Sequence, residues 1–269
     1  MRLAFLIIAH EEFDILRRLV ASLDDESHDI YIHIDKKAGP IPDIKTDKSR
    51  LFVLEKRMDV RWGHVSQIEC EYELWEAAAQ NGPYDSYVLL SGTHLPLKPL
   101  SVIKEFYQQH QGTNLLQGFS RANGYQKTLK MNRFNFFLKN SHCGPGWRKR
   151  LFQRLWRYCI KFQEVLDIQN LRDEEFFASQ NWVALTQDAV SYMLAIKRDA
   201  LKKYKYTFCG DEWFVATELA HSSLSASIVD PQNYVYCEWG EANPRFFTLA
   251  EYDSLCKRDF IFARKFKSK

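Results

Sequence analysis

No stretch of the 269 residues reaches the ~18 consecutive apolar positions that a membrane-spanning helix requires. Glycine and proline are scarce, at 11 and 8, which excludes collagenous and linker-like chains. The six cysteines (Cys70, Cys143, Cys159, Cys209, Cys237 and Cys256) form no CxxC pair and no metal-ligand spacing. They read as packing residues of a protein in a reducing cytoplasm. The first apolar run has no GxGxxG after it, which argues against a dinucleotide dehydrogenase. A GxxxxGK(S/T) phosphate loop and a GxSxG nucleophile elbow are also missing. Asp-x-Asp, the pair that holds a divalent metal in many sugar-nucleotide transferases, occurs nowhere. A sugar nucleotide bound here would need cationic side chains to neutralise its diphosphate.

What is present is a globular composition. The chain is 46% hydrophobic, 26% charged and 14% aromatic, too apolar to remain disordered. A chain of this length buries about 70–75% of its unfolded surface, so a core alone can hold it. With no repeat or linker, residues 1–269 read as one domain. Its parts are a nucleotide-binding half (1–117), a basic helical region (118–178) and an acceptor-binding, catalytic half (179–269). Charge is unevenly spread: from Phe106 to Gln163 there is no Asp or Glu but there are eleven Lys or Arg. Such asymmetry suits a face that meets an anionic partner.

Hydropathy patterning gives the order of elements. Arg2 to Ala9 is a continuous apolar run, as expected of a strand buried on both faces rather than of an export signal, since acidic Glu11, Glu12 and Asp14 follow directly. Helix (11–23), strand (29–35), short strand (51–54), long helix (65–79), strand (87–90) and helix (101–110) come next, and 114–117 leads into the middle region. This alternation predicts an α/β, mostly parallel sheet flanked by helices. Ligands in such sheets bind beyond the carboxyl ends of the strands, which puts His10, Asp35 and Ser91 to His94 along one edge. Trp147 to Leu166 patterns as an amphipathic helix. It is either a core-packed helix with a solvated basic side or an interfacial helix on anionic lipid. A strand at 182–186 and a helix at 187–196 follow, and a further helix at 211–220 opens with Asp211 and Glu212. That acidic pair is an acid/base candidate, because a carboxylate at a helix N-terminus is held as the anion. Capping alone would explain it equally well. Arg245 and the run 264–267 are candidate diphosphate cations.

Read together and in order, these pieces resemble one family. They are IAHEEFDILRRLVASL, DIYIHIDKK, VRWGHVSQIECEYELWEAA, YVLLSGTHLPLK, ASQNWVALTQDAVSYML, TFCGDEWFVATEL, NPRFFTLAEYDSL and FIFARKF. The family is the core-2/I-branching β-1,6-N-acetylglucosaminyltransferases (glycosyltransferase family 14), which includes peptide xylosyltransferases; this chain looks like a bacterial-type member. The resemblance implies a GT-A-like (Rossmann-like) fold and inverting transfer of GlcNAc or xylose from a UDP-sugar, with no divalent metal or other cofactor. It makes Glu212 the general base, next to Asp211. Arg245 and Lys265 become the cations on the donor diphosphate, and Ile8, Ala9, His10, Asp35 and Trp62 border the nucleoside. Ser91, His94, Gln117, Ser179, Gln180 and Trp182 fall around the sugars, with Tyr236 and Trp239 as an aromatic acceptor wall. Two positions depart from the family pattern: His94 stands where an Asp is usual, and Gln117 where many relatives have a Glu that grips the acceptor. The acceptor is therefore expected to differ from that of mucin-type relatives.

The partners expected are a UDP-sugar and a surface glycan, plausibly lipid-linked, with peripheral contact between 147–166 and an anionic membrane at the cytoplasmic face. The alternative is a non-catalytic basic module that binds anionic glycan or nucleic acid through its cations and Phe136, Phe137, Trp147 and Trp156. Against nucleic acid, the basic region is embedded in an α/β domain and carries no nucleic-acid motif.

Overall fold

The computed structural model describes residues 1–122, 124–141, 145–171, 174–240 and 244–268, the side chains at 125 and 126 excepted. Cys143 and the Asn243 that begins NPRFFTLAEYDSL lie outside the described residues. In chain order the strands are β1 Leu3–Ala9, β2 His28–Ile34, β3 Arg50–Val53, β4 Ser86–Ser91, β5 Leu95–Pro96, β6 Asn114–Leu115 and β7 Ser120–Arg121. They continue as β8 Phe177–Ala178, β9 Ala184–Leu185, β10 Ile228–Val229, β11 Val235–Cys237, β12 Phe247–Thr248, β13 Phe262–Arg264 and β14 Phe266–Lys267. The helices are α1 Phe13–Leu23, α2 Ser66–Ala79, α3 Leu100–Gln109, α4 Gly124–Lys130, α5 Leu138–Ser141 and α6 Gly146–Val165. After them come α7 Gln187–Ala195, α8 Lys197–Lys203, α9 Phe214–Ala220 and α10 Tyr252–Cys256.

A seven-stranded sheet in the order β10-β6-β9-β4-β1-β2-β3 organises the molecule. Its half β3-β2-β1-β4 is parallel throughout, and β9 lies antiparallel between β4 and β6. This is the mostly parallel, Rossmann-like α/β arrangement expected from the sequence. The three longest strands sit at the centre because their residues suit burial on both faces: Leu3–Ile7, Ile30–Ile32 and Val88–Leu90 are sealed from water. Helix α1 lays Ile15, Leu16, Leu19, Val20 and Leu23 on the core, each contributing about 2 kcal/mol by leaving water.

At the amino edge of the strands, Asp29 is clasped by Arg2 (2.9 Å), Arg50 and Tyr84, a structural clamp far from the strands' carboxyl ends. Its carboxyl stays below the usual carboxylate range: burial works against the charge, and the hydrogen bonds from Arg50 and Tyr84 outweigh it. A smaller sheet, β11-β13-β5, and the pair β12-β14 bring the carboxyl-terminal segment back against the loop after β4. The link is direct, with Phe266 N donating to the Thr93 carbonyl at 2.9 Å.

Two expectations change. The strand placed at 182–186 is only Ala184–Leu185, and the helix placed at 211–220 begins at Phe214. Gly210–Glu212 instead forms a separate 3-10 turn. The chain enters that turn through Cys209 at φ 52, the left-handed region that costs a non-glycine residue of order 1 kcal/mol or more. Gly210 is required there: a Cβ would come 2.5 Å from Thr207 Oγ1.

Candidate active site

The carboxyl ends of β1, β2 and β4 are tied side by side. Asp35 N donates to the Ala9 carbonyl and Gly92 N to the Ile8 carbonyl, both at 2.8 Å. This gathers Ile8, Ala9, His10, Asp35 and Ser91 to His94 at one edge, as the strand-end argument requires. Asp35 is buried with both oxygens engaged: Oδ1 accepts from Lys37 N (2.7 Å), and Oδ2 from Lys37 Nζ (2.7 Å) and Val60 N (3.2 Å). It therefore fixes the loop that carries the half-exposed Trp62, whose ring meets Phe208 edge-on at 5.2 Å. Gly63 makes that approach possible, since a Cβ would lie 2.4 Å from the Phe208 ring. His10 has its pKa lowered chiefly by burial, against the opposing pull of Glu11 3.3 Å away. The charges of Lys265 and Asp35 also act on it.

Glu212 is the exposed member of the turn. Its Oε2 accepts from Lys130 Nζ at 2.9 Å. Burial works against the charge on Lys130, and the Glu212 carboxylate more than offsets it, so the lysine pKa ends raised. Asp211 is buried instead: Oδ2 accepts from Gln67 at 2.8 Å, and Oδ1 has no partner among the described residues. Burial, then the negative charge of Glu212, pushes its pKa up to about 7. The expectation that the pair would be held as anions by a helix terminus is thus corrected for Asp211, because no helix begins there and desolvation dominates. Beneath it lies Glu71, fully buried on α2, with its pKa raised by burial and then by Asp211. Asn181, with its amide turned to donate, links Glu71 Oε1 (3.0 Å) to the Asp211 carbonyl (3.2 Å).

Two consecutive backbone amides tie the segment after β8 to the turn and to the connection after β6. Ser179 N donates to the Glu212 carbonyl (3.0 Å) and Gln180 N to the Gln117 carbonyl (2.8 Å). Gln117 turns its side chain inward, Oε1 accepting from Val235 N at 2.9 Å, so its side-chain oxygen holds β11. Trp182 is buried between His94 (ring centroids 4.8 Å apart) and Arg264, whose guanidinium carbon is 4.6 Å over the indole. His94 is sealed from solvent, with Nδ1 bonded to Ser91 Oγ at 2.8 Å. Burial, then the charge of Arg264, drives its pKa well down, so it is a neutral packing group under the site.

Of the proposed cations, Lys265 follows Arg264 directly and has a pKa lowered by burial and by Arg264. Arg245 is on the neighbouring segment, where Phe247 N donates to the Lys265 carbonyl at 2.7 Å. Its guanidinium is already bound to Glu238 (2.7 Å) and Glu251 (2.8 Å). Tyr236 donates its hydroxyl to the same Glu238 (2.7 Å), and Trp239 stands 69% exposed at the rim. Arg264, named from the sequence only as part of the candidate cation run 264–267, has a charge that reaches both Asp211 and Glu212, and burial brings its pKa down to about 10. Lys130 and Glu71 were missed as site residues. Eighty-two positions separate Lys130 from Glu212, and no local pattern announces such a pair.

A model of the family described as Core-2/I-Branching enzyme matches residues 3–255. The chain is similar to Xylosyltransferase 2 of Mus musculus (23% identical over 297 residues) and Xylosyltransferase oxt of Drosophila melanogaster (22% over 299). These matches cover 100% and 99% of this chain but 32% of each relative, so the chain spans about a third of their length. Among solved structures, mouse xyloside xylosyltransferase 1 in its apo form aligns over 97% of this chain and 96% of its own, with TM-score 0.41 and 10% identity. With a family model matched over nearly its whole length, the chain belongs to the Core-2/I-Branching enzyme family of glycosyltransferases.

Proposed function

We propose that the chain is an inverting, metal-independent transferase that moves one sugar, GlcNAc or xylose, from a UDP-sugar to a hydroxyl of a surface glycan. The observation that carries this reading is the exposed Glu212 carboxylate, paired with Lys130 on a turn fixed from below and within reach of the charge of Arg264. Glu212 takes the proton of the acceptor hydroxyl, which leaves Lys130 for the incoming oxygen to displace or adjoin. That oxygen bonds to the anomeric carbon as the carbon–oxygen bond to the diphosphate breaks on the opposite face, and the electron pair leaves with UDP.

Lys265 and Arg245 stabilise the charge that develops on the leaving group, in the role a divalent ion would have, and Arg264 supports them from behind Trp182. Uridine lies against Ile8, Ala9, His10 and the loop that Asp35 fixes, with Trp62 offering its ring. Ser179, Gln180 and Trp239 line the acceptor side, where an exposed indole suits the apolar C–H face of a pyranose. Because the Gln117 side-chain oxygen and the Tyr236 hydroxyl have internal partners, we assign them to shaping that wall rather than to gripping the sugar. Buried thiols such as Cys70 and Cys209, unpaired, support placement in a reducing cytoplasm.

A screen of UDP-sugars for UDP release in EDTA, with and without oligosaccharide acceptors, tests the reading. Stabilisation by UDP in a thermal melt without added Mn²⁺ separates it from a non-catalytic basic module, which gains nothing from the nucleotide.

A further inference from the structure

Helix α6 carries an apolar face that stands exposed among the described residues. Trp147, Leu151, Leu155, Tyr158, Phe162 and Val165 follow at spacings of four, four, three, four and three, which keeps them on one side of a helix in a sector roughly 100° wide. Their exposures run from 36% to 76%. The stripe differs from the helix's packed face. That other face is held by Gln163, which brackets Phe134 with bonds of 2.8 and 3.0 Å, by Trp156, which donates to Asn135 at 3.0 Å, and by buried Ile160. The helix is thus docked firmly in an orientation that turns its aromatic and aliphatic stripe outward.

Cations border the stripe. Arg150, Arg154, Arg157 and Lys161 fall along one of its margins and Arg148 along the other, and Glu164 is the helix's single acid. Among the described residues none of these cations has a carboxylate partner. Continuous apolar exposure beside unpaired positive charge is the surface that enters the headgroup layer of an anionic bilayer, with Trp and Tyr at the interface and the charges against lipid phosphates. A second copy of this face would bring the same charges together and is disfavoured. Aliphatic Leu151, Leu155 and Val165 offer nothing for nucleic-acid bases to stack on.

We propose that the exposed stripe of α6 docks the protein on a membrane surface containing anionic lipid. The docked face leads to the site in short steps: Trp156, on the packed side of α6, meets Phe208 at 5.5 Å, and Phe208 meets Trp62. Phe208 N also donates to the carbonyl of Lys130, the partner of Glu212. Docking sets the cleft beside the bilayer, so a lipid-borne acceptor reaches it without leaving the membrane; that consequence rests on the transfer reading, whereas the docking does not.

The test is sedimentation of the full chain with phosphatidylcholine vesicles and with phosphatidylcholine–phosphatidylglycerol vesicles, with no donor or acceptor added. Binding is expected to the anionic vesicles at least tenfold more tightly than to the neutral ones, weakening as salt screens the charges. Tyr158→Ser with Phe162→Ser, and separately Arg154→Glu with Lys161→Glu, should each cut that binding about tenfold or more. All four side chains are on the exposed side, so melting temperature and UDP affinity should hold. Equal partition to both vesicles, no partition, or partition untouched by either double variant overturns the proposal. So does self-association in the absence of lipid that the Tyr158 and Phe162 changes abolish, since a second copy would then cover the stripe. Because vesicle binding is read without turnover, a protein that docks but transfers nothing would sink the transferase reading and leave the docking intact.

Discussion

The Lys130 ammonium lies 2.9 Å from Glu212 Oε2, and through it the basic middle region reaches the turn between Cys209 and Trp213. A region that composition marks only as charged therefore supplies the partner of the one exposed carboxylate on that turn. Glu212→Gln is expected to lower kcat about 10²- to 10⁴-fold while UDP affinity stays within twofold, because the proton it accepts belongs to the acceptor. Lys130→Ala should also reduce kcat, with a stability loss below about 1 kcal/mol, since the pair is partly open to solvent. Steady-state kinetics with calorimetric UDP titration check both.

Lys265→Ala should weaken UDP about tenfold and leave uridine nearly unchanged, because the charge it loses acts on the diphosphate. Arg245→Ala should do the same, and it should also free Glu238 and Glu251 from their common partner. Adding Glu238→Gln to Arg245→Ala removes part of that second effect, so isothermal titration of the double variant isolates the diphosphate contribution.

Stability should depend on pH through Asp211. Its folded pKa, about 7, lies above the ordinary value of 3.8. The favourable contribution is complete below pH about 4 and is lost as pH rises through 7, because the folded state binds the extra proton. Histidines held neutral by burial, such as His94, act in the opposite sense over the same range, so the reading is taken as the difference between wild type and Asp211→Asn: the melting temperature of wild type relative to the variant is expected to fall from pH 5 to pH 8. A difference that stays flat or climbs over that interval would refute the assignment.

Glu71 tests the scaffold under the turn. Glu71→Gln keeps an acceptor for Asn181 and should retain most of the activity. Glu71→Ala leaves the amide short of a partner in a sealed site, at a cost of about 1–3 kcal/mol. Denaturant melts, with kcat measured on the folded fraction, separate lost stability from a displaced turn.

Much of the fold was legible because β1 is a continuous apolar run, β2 and β4 are rich in aliphatic and tyrosine residues, and polar residues stand at their carboxyl ends. His10, Asp35 and Ser91 emerge together from that rule. The turn at Gly210 was not legible: acidic residues before an apolar stretch look like a helix start, and the left-handed entry through Cys209 at φ 52 is announced by no residue type. Lys130 escaped for a related reason. It acts through space on a carboxylate distant in sequence, and neither residue type nor spacing encodes that approach; Arg264 was legible as a candidate diphosphate cation, but its reach to Asp211 and Glu212 was not. The amphipathic pattern of 147–166 was plain, but only packing tells which face is free. Phe152 and Cys159 turn partly inward while Trp147 and Tyr158 turn out.

The most direct test of the central claim is the rate of sugar transfer in EDTA, from the UDP-sugar that gives the fastest UDP release, by wild type and by Glu212→Gln. Wild-type transfer should proceed undiminished, and the variant should bind UDP normally yet transfer about a hundredfold more slowly or worse. A wild-type rate abolished by EDTA, or a variant that turns over near the wild-type rate, would contradict it.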